Sequence, residues 1–487
     1  MKIPFFILLF FTASLSAIAD KPVKLYDELQ RPQFHFTPEK NWMNDPNGLV
    51  YYKGEYHLFY QYNPFGKEWG YMHWGHAVST DLVHWENLPI ALTPDNDSKD
   101  KELGTEFSGS GLVDENNLTG LQKGEEKTLL LFYTCKGMGQ RLAYSNDKGR
   151  TWIKYEKNPL IAFDETDDAR DPKVFWHEAS KQYVMVLYRR PNSNDKLKGV
   201  SFYTSKNLIN WEYKNHIAGF YECPDLVELS VNRRPDDKKW VLFDGDGSYV
   251  IGLFNGEKFI AETAKMFSDY GKNYYATQTW SNIPQSDGRT IQMAWMKGGE
   301  YPDMPFCGQM TFPCELSLTK YTDGIKLTRK PIKEIQLMHG KGEVWENKNL
   351  IPGIQKNLLH GLKGDCFHII GTFKIKTADS FGFVVRLDKE KNGGEITYTV
   401  ATNSLNCLGQ ATIVKPIDGV IKLEILMDRS SIEIFANDGK AVLTSTYTAK
   451  EKSEGIYLYN TGGEIQIEKL EIYPMKSIWS EKVSKVN

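Results

Sequence analysis

Three acidic residues with unusual neighbours have the types and spacing to do chemistry together: Asp45 in "WMNDPNG", Asp171 in "ARDPKVF" and Glu222 in "FYECPDLVEL", separated by 126 and 51 residues. With "FSGSG" at 107 to 111 between the first two, the four markers fall 62, 64 and 51 residues apart. If those intervals are one structural repeat, the acids hold the same place in successive units and converge from distant parts of the chain. Converging carboxylates perturb one another: like charge and desolvation raise one pKa, while Arg170 beside Asp171 keeps that one ionised. A pair split in this way supplies a proton donor and a nucleophile, which is what cleavage of a glycosidic bond requires. For Glu222 the expectation is a raised pKa, since an acid/base must be protonated for one step and ionised for the next.

Each stretch also has a plainer reading. "NDPNG" is a turn signal, with Pro46 fixing φ and Gly48 tolerating positive φ. "RDP" reads as a turn with a surface ion pair, and "EC" alone carries almost nothing. "DGDGS" at 244 to 248 lacks the spaced oxygen ligands and distal Glu of a calcium loop and reads as a turn. Trp42, Tyr60, Trp69, Trp74 and Trp295 have the composition of a β-core. In "HWGH", His73 and His76 lie in a strand-like context, where positions i and i+3 point to opposite faces and cannot share a metal. No metal or organic cofactor is implied, and the joint spacing of the acids is what favours chemistry.

The elements that must position them are short β-type runs, such as "GEYHLFYQY", "KTLLLFYTC" and "KQYVMVLYRR", separated by Gly, Pro, Asn and Asp clusters from about residue 33 to 335. The segments around Trp85, Trp152 and Trp211 repeat a Ser, a turn residue and then the Trp, at intervals of 67 and 59 residues. A unit that long fits a four-stranded blade, and five of them fill the region, so the expected fold is all-β: a five-bladed β-propeller with the acids at a central channel. Beyond Pro331 a polar connector precedes renewed alternation in "FHIIGTFKIK" and "IKLEILMDRSSIEIFANDGK". The Asp438-Gly439 hairpin signal there supports a β-sandwich. The expected division is an export signal at 1–19, the propeller at 20–335, a linker at 336–345, the sandwich at 346–475 and a tail at 476–487.

A net charge of -3 with no Lys/Arg block excludes a nucleic-acid backbone as partner. Lys2 precedes an apolar run ending in Ala17-Ile18-Ala19, which reads as a cleavable secretory signal, so an exported, periplasmic or extracellular protein is expected. No cysteine ends that run to carry a lipid, and no later apolar segment is long enough to span a bilayer, so no membrane anchor is expected. Six cysteines in 487 residues are too sparse for a disulfide framework; Cys307 and Cys314 either bridge a loop or stay reduced. A monomer is the expected state.

In order along nearly the whole mature chain, "WMNDPNG", "FSGS", "RDP", "EC" and "MDRSSIEIFANDG" resemble the motifs of glycoside hydrolase family 32, the fructan hydrolases and invertases. Its members pair a five-bladed propeller with a C-terminal β-sandwich. The resemblance implies that Asp45 is the nucleophile, Glu222 the general acid/base and Asp171 a stabiliser that grips fructose hydroxyls. It also implies that Trp42, Asn44, Gln61, Trp69, Phe107, Ser108, Arg170 and Trp295 line a fructose subsite. The implied activity is retaining hydrolysis of terminal β-D-fructofuranosyl residues from levan, inulin and sucrose. Members commonly read "DYGxDFYA" and "WGNMHWG" where this chain has "DYGKNYYA" and "WGYMHWG", so Asn273 and Tyr71 leave the linkage preference open. Endo-attack and fructosyl transfer share this chemistry. An inverting propeller glycosidase and a secreted non-catalytic carbohydrate-binding protein are the rival readings.

Overall fold

The computed structural model describes residues 26–95, 100–352, 358–390, 392–449 and 453–479, so the expected export signal and residues 480–487 lie outside the described residues. The alternating runs pair as antiparallel sheets in chain order. Asn41–Tyr52, Glu55–Asn63, His73–Ser79 and Glu86–Leu92 form the first blade, and Glu106–Asp114, Thr128–Cys135, Gly139–Ser145 and Ile153–Lys154 the second. Asp168–His177, Gln182–Arg190, Gly199–Ser205 and Glu212–Ala218 make the third. The fourth is built on Asp225–Ser230, Lys238–Phe243 and Ser248–Phe254, and the fifth on Tyr275–Thr279, Thr290–Trp295, Cys314–Tyr321 and Gly324–Pro331. Two further sheets, of six and five strands between Glu343 and Pro474, pack as the β-sandwich around Phe367, Phe381, Phe383 and Ile434. The five-bladed propeller followed by a sandwich is therefore the fold.

Each blade's first strand borders the axis, and four of the five carry the same irregularity there. Asn44 and Asp45 together oppose Gln61, because the pairing jumps from Met43–Tyr62 to Pro46–Tyr60. Phe107 and Ser108 likewise oppose Thr134, Asp171 and Pro172 oppose Leu187, and Ala276 and Thr277 oppose Ala294. Two residues against one is a β-bulge, which bends the strand and re-aims a side chain that strict alternation would bury in the blade. The expected Asp-Pro-Asn-Gly turn is thus corrected: it lies inside the twelve-residue strand Asn41–Tyr52, between two register shifts. Gly48 there does sit at φ 59°, where an added Cβ would meet the rings of Phe59 and Trp74.

The ring closes where Phe306–Cys307 pair in parallel with Asn41–Trp42, and where Asn41 N donates to Pro305 O at 2.8 Å. Cys307 takes part in this pairing through its backbone, and its thiol is free, as is that of Cys314, which reaches Phe312 O at 3.3 Å. His73 bonds to Tyr71 O at 2.6 Å while His76 meets His57 at 3.0 Å, so the two histidines of "HWGH" serve different neighbours. Ile478 and Trp479 are buried, with Trp479 stacked 4.3 Å from Tyr26, so the last described residues of the chain pack against the first.

The sandwich grips the seam between the first and fifth blades. Asp428 accepts the N–H groups of Gln33, Phe34 and His35 at 2.7, 3.0 and 3.2 Å. Glu433 accepts Phe312 N at 2.8 Å. The His35 ring joins the two, 2.8 Å from Asp428 and 2.9 Å from Glu433. Burial alone would push this imidazole down, but the two carboxylates raise it to about 9, so it is a cation between anions. The linkage sign follows: the ion cluster stabilises fully below the unfolded value of 6.5, and its contribution fades as pH rises toward 9. We predict a loss on the order of 3 kcal/mol of stability between pH 6 and pH 10, absent in His35→Ala, which is itself destabilised by about 3–5 kcal/mol at pH 6 because two buried anions lose their partner. Denaturant unfolding at both pH values would refute this if wild type and variant responded alike.

Candidate active site

Asp45, Asp171 and Glu222 reach one cavity of about 380 Å³ from the first, third and fourth blades, and all eight residues expected to surround them, Trp42, Asn44, Gln61, Trp69, Phe107, Ser108, Arg170 and Trp295, line it as well. Asp45 Oδ2 accepts from Ser108 Oγ at 2.7 Å and Oδ1 from Asn44 Nδ2 at 3.0 Å. Trp42 Nε1 fixes Asn44 in turn, at 2.7 Å to Oδ1. Gln61 donates to Glu106 O at 2.8 Å, which ties the first blade's bulge to the second's. Trp295 stands edge-on to Trp42, with centroids 5.9 Å apart, and Phe107 stands edge-on to Trp69 at 6.0 Å. The aromatics therefore form a wall of this cavity as well as packing their own blades.

The fourth blade has no bulge on its first strand and uses strain instead. Glu222 and Cys223 lie just before Asp225–Ser230 with φ 52° and 38°, and Asp171 has φ 63°. Left-handed backbone at a non-glycine residue costs about 1–3 kcal/mol and persists only where surroundings over-determine it. Here Cys223 N donates to Asp171 Oδ2 at 3.0 Å, and Asp171 N to Thr134 Oγ1 at 3.0 Å. Asp244, in the "DGDGS" turn, accepts Tyr221 N at 2.8 Å and so holds the segment that carries Glu222.

The electrostatics correct the expected split. Arg170 does not pair chiefly with Asp171, whose Oδ2 lies 3.9 Å from Nε; it pairs with Asp168 on one side and with Glu222, 2.7 Å from Oε1, on the other. Tyr275 donates to Glu222 Oε2 at 2.5 Å. Burial alone would raise Glu222, but the Arg170 charge and these hydrogen bonds hold its carboxyl below the usual value in the free site. Asp171 has the opposite balance. Burial raises it, and the charges of Glu222 and Asp45 add to that against Arg170, leaving it at about 7. Burial also raises Asp45, opposed by Ser108 and Asn44. The proton expected on Glu222 is thus better held by Asp171, and the three interacting groups titrate as a set.

Cys223, Tyr275 and Lys297 complete the lining. The Lys297 ammonium sits 3.6 Å above the Tyr275 ring. Cys223 follows directly on Glu222 in the sequence, whereas sequence reasoning misses the other two, although Tyr275 lies in the "YYA" that follows Asn273. Asn273 itself is buried behind the cavity, bonding Lys297 O at 2.6 Å and accepting Thr446 N of the sandwich at 2.9 Å. Tyr71 is not part of the lining. Beneath the acids, residues of all five blades enclose a void of about 10 Å³, and Lys173 closes the axis there with bonds to Thr279 O at 2.8 Å and Asp225 at 3.3 Å. Among the described residues, one group of acidic and thiol side chains has the spacing for a cation, Asp95, Glu106 and Cys135, but the Lys154 ammonium lies against both carboxylates.

The Cys223 thiol lies 3.4 Å from Asp45 Oδ2 and 3.6 Å from Asp171 Oδ2, and burial with three nearby carboxylates keeps it protonated far above the usual range. We therefore predict slow reaction with an aryl mercurial, complete loss of turnover once labelled, and slowing of both by fructose. Full activity after stoichiometric labelling of Cys223 would sink this.

Comparison with known proteins gives a consistent set. The chain matches a family model described as glycosyl hydrolases family 32 N-terminal domain over residues 35–331, and one described as glycosyl hydrolases family 32 C terminal over residues 336–474. A levanase of Bacillus subtilis is 42% identical, with 93% of this chain and 72% of that protein covered. An exo-inulinase of Aspergillus awamori superposes with a TM-score of 0.84 at 28% identity, covering 93% of this chain and all of that one. A fructofuranosidase of Schwanniomyces occidentalis, solved with fructosylnystose, gives 0.81 at 27% identity over 93% and 99% of the two chains.

Proposed function

The chain belongs to glycoside hydrolase family 32, a glycosidase acting on fructosyl bonds, and from that premise we propose that it releases terminal β-D-fructofuranosyl residues from levan, inulin and sucrose with retention. The observation that carries the reading is the meeting of Asp45, Asp171 and Glu222 from three blades in one aromatic-walled cavity. Asp45 attacks C2 of the fructosyl unit while Glu222 gives its proton to the departing oxygen; water then attacks C2 from the opposite side, Glu222 takes its proton, and the Asp45 carboxylate leaves. Asp171 and Asn44 hold ring hydroxyls. Substrate that separates Arg170 from Glu222 removes the pairing that keeps Glu222 ionised, so the acid gains its proton as the sugar arrives.

Attack at a chain end rather than within it is supported by the blind floor of the cavity, closed by Lys173 and the tight packing of five blades. The protein is proposed to act outside the cytoplasm as a monomer, an export reading that rests on the apolar run before Asp20. No helix among the described residues is long and apolar enough to cross a membrane. Chromatography of products from sucrose, inulin and levan tests the whole reading. Fructose as the first and dominant product supports it, oligosaccharides from the outset mean internal attack, and no product at all leaves only sugar binding.

A further inference from the structure

A second cavity, also of about 380 Å³, lies against the first and shares two walls with it, Phe107 and Arg170. Its outer rim is the segment from Ile161 to Arg170 that joins the second blade to the third, and its far side is formed by Arg189, Arg190 and Ser193 of the third blade. The rim is built rather than loose. Gln140 N donates to Ile161 O at 2.9 Å, Asp167 N to Asp164 O at 3.0 Å, and Arg189 is paired with Asp167. Phe163 stands on this rim with half its surface in solvent, an apolar ring that no cluster of the core claims.

Two features say what fits there. The lining carries four carboxylates, at 164, 165, 167 and 168, and four cations, at 136, 170, 189 and 190, so it has no net charge to offer a phosphate or a polyanion. It is instead dense in donors and acceptors beside aromatic surface, the composition that suits a neutral polyhydroxylated ligand. Arg170 gives the direction. One side of its guanidinium bonds Glu222 at 2.7 Å and the other bonds Asp168 inside the second cavity. The oxygen that accepts the proton of Glu222 is the one joining the departing part of the substrate, so that part leaves the first cavity over Arg170.

We infer that the second cavity binds the departing portion of a fructan chain, the fructosyl units beyond the bond being cut, with Phe163 and Glu165 as specificity-determining residues. The inference rests on the function proposed above. Its geometry also makes this cavity the place where β-2,1 and β-2,6 chains are told apart, because the two linkages send the next ring in different directions from the same departing oxygen.

Calorimetric titration into Asp45→Asn protein, with and without the added pair Phe163→Ala and Glu165→Ala, tests it without turnover. The Kd for a long-chain fructan should rise at least about tenfold in the added pair, a change of about 1.4 kcal/mol in binding free energy. The Kd for free fructose, which fits the first cavity alone, should change less than twofold. Unmoved fructan affinity, or fructose and fructan weakening together, overturns the assignment. Turnover separates this from the catalytic reading: a wild-type protein that bound fructan in the second cavity and released no fructose would refute the proposed function, and with it the departing-chain role, leaving a fructan-binding cavity alone.

Discussion

Replacing Asp45 with Asn lowers turnover on sucrose and fructans by at least about three orders of magnitude while the folded protein is kept, as expected when a covalent nucleophile is removed from a group that acts as a unit. Asn is nearly the same shape and its oxygen still accepts from Ser108 and Cys223; its NH2 group loses only the bond from Asn44 Nδ2, and the strand pairing on either side keeps the bulge at residues 44–45 in place. The substitution also removes a charge that burial and Glu222 disfavour, so the thermal midpoint should hold or rise. Turnover within tenfold of wild type in well-folded Asp45→Asn protein would reject Asp45 as nucleophile.

Glu222→Ala has the second large effect, and its pattern is more informative than its size. Sucrose, whose leaving oxygen needs a proton, should slow by at least about two orders of magnitude, the usual range for a general acid. A fructoside with an activated leaving group should slow far less. Azide should then restore turnover by attacking the fructosyl ester of Asp45, breaking the C2–carboxylate bond and giving β-fructosyl azide. The pH profile of kcat/KM reads the free protein, where the shared proton rests mainly on Asp171 and leaves near pH 7, so wild-type activity should fall as pH rises through that value. Glu222→Ala removes both the need for the proton and the charge that holds it, so the fall at high pH should vanish with the activated substrate. Equal loss on both substrates with no azide product would show that Glu222 is not the acid/base.

The places of Asp45 and Asp171 are legible in the sequence because a repeat carries position: intervals of 62 and 64 residues put Asp45, Phe107 and Asp171 at the bulges of successive blades, whereas Glu222, only 51 residues on, lies ahead of the fourth blade's first strand and does not share that place. How a strand residue turns toward the axis is not legible there. A bulge is a mismatch between two strands, and neither strand alone records it, although Pro46 and Pro172, which cannot donate to a ladder, are the traces it leaves. Sequence proximity makes Asp171 the natural partner of Arg170. The structure pairs Arg170 instead with Asp168, two positions back, and with Glu222, 52 positions on, because the bulge at Asp171 and Pro172 turns Asp171 inward, while the guanidinium lies over Tyr188, 4.5 Å from the ring centroid, and reaches across to the next blade. Asn273 reads from its motif as a change near the sugar, yet it acts behind the cavity by joining Lys297 to the sandwich, through a bond between residues 173 positions apart that no local pattern announces.

The grip of Asp428 and Glu433 on the seam has a consequence for the order in which the molecule comes into being. Both residues follow the entire propeller in the chain, and a chain made or exported N-terminus first presents five blades before it presents what fastens them. Until then residues 33–35 and 312 have no carboxylates to receive their N–H groups, and the join rests on the strand pairing of residues 41–42 with 306–307. Protease added to chains halted before residue 428 should cut faster at that join than in chains extended past 474, which carry every strand of the sandwich. The sandwich is in this sense a late clasp: each blade holds its own register and the ring closes through its own strands, but the carboxylates that lock the seam are the last part of the fastening to arrive.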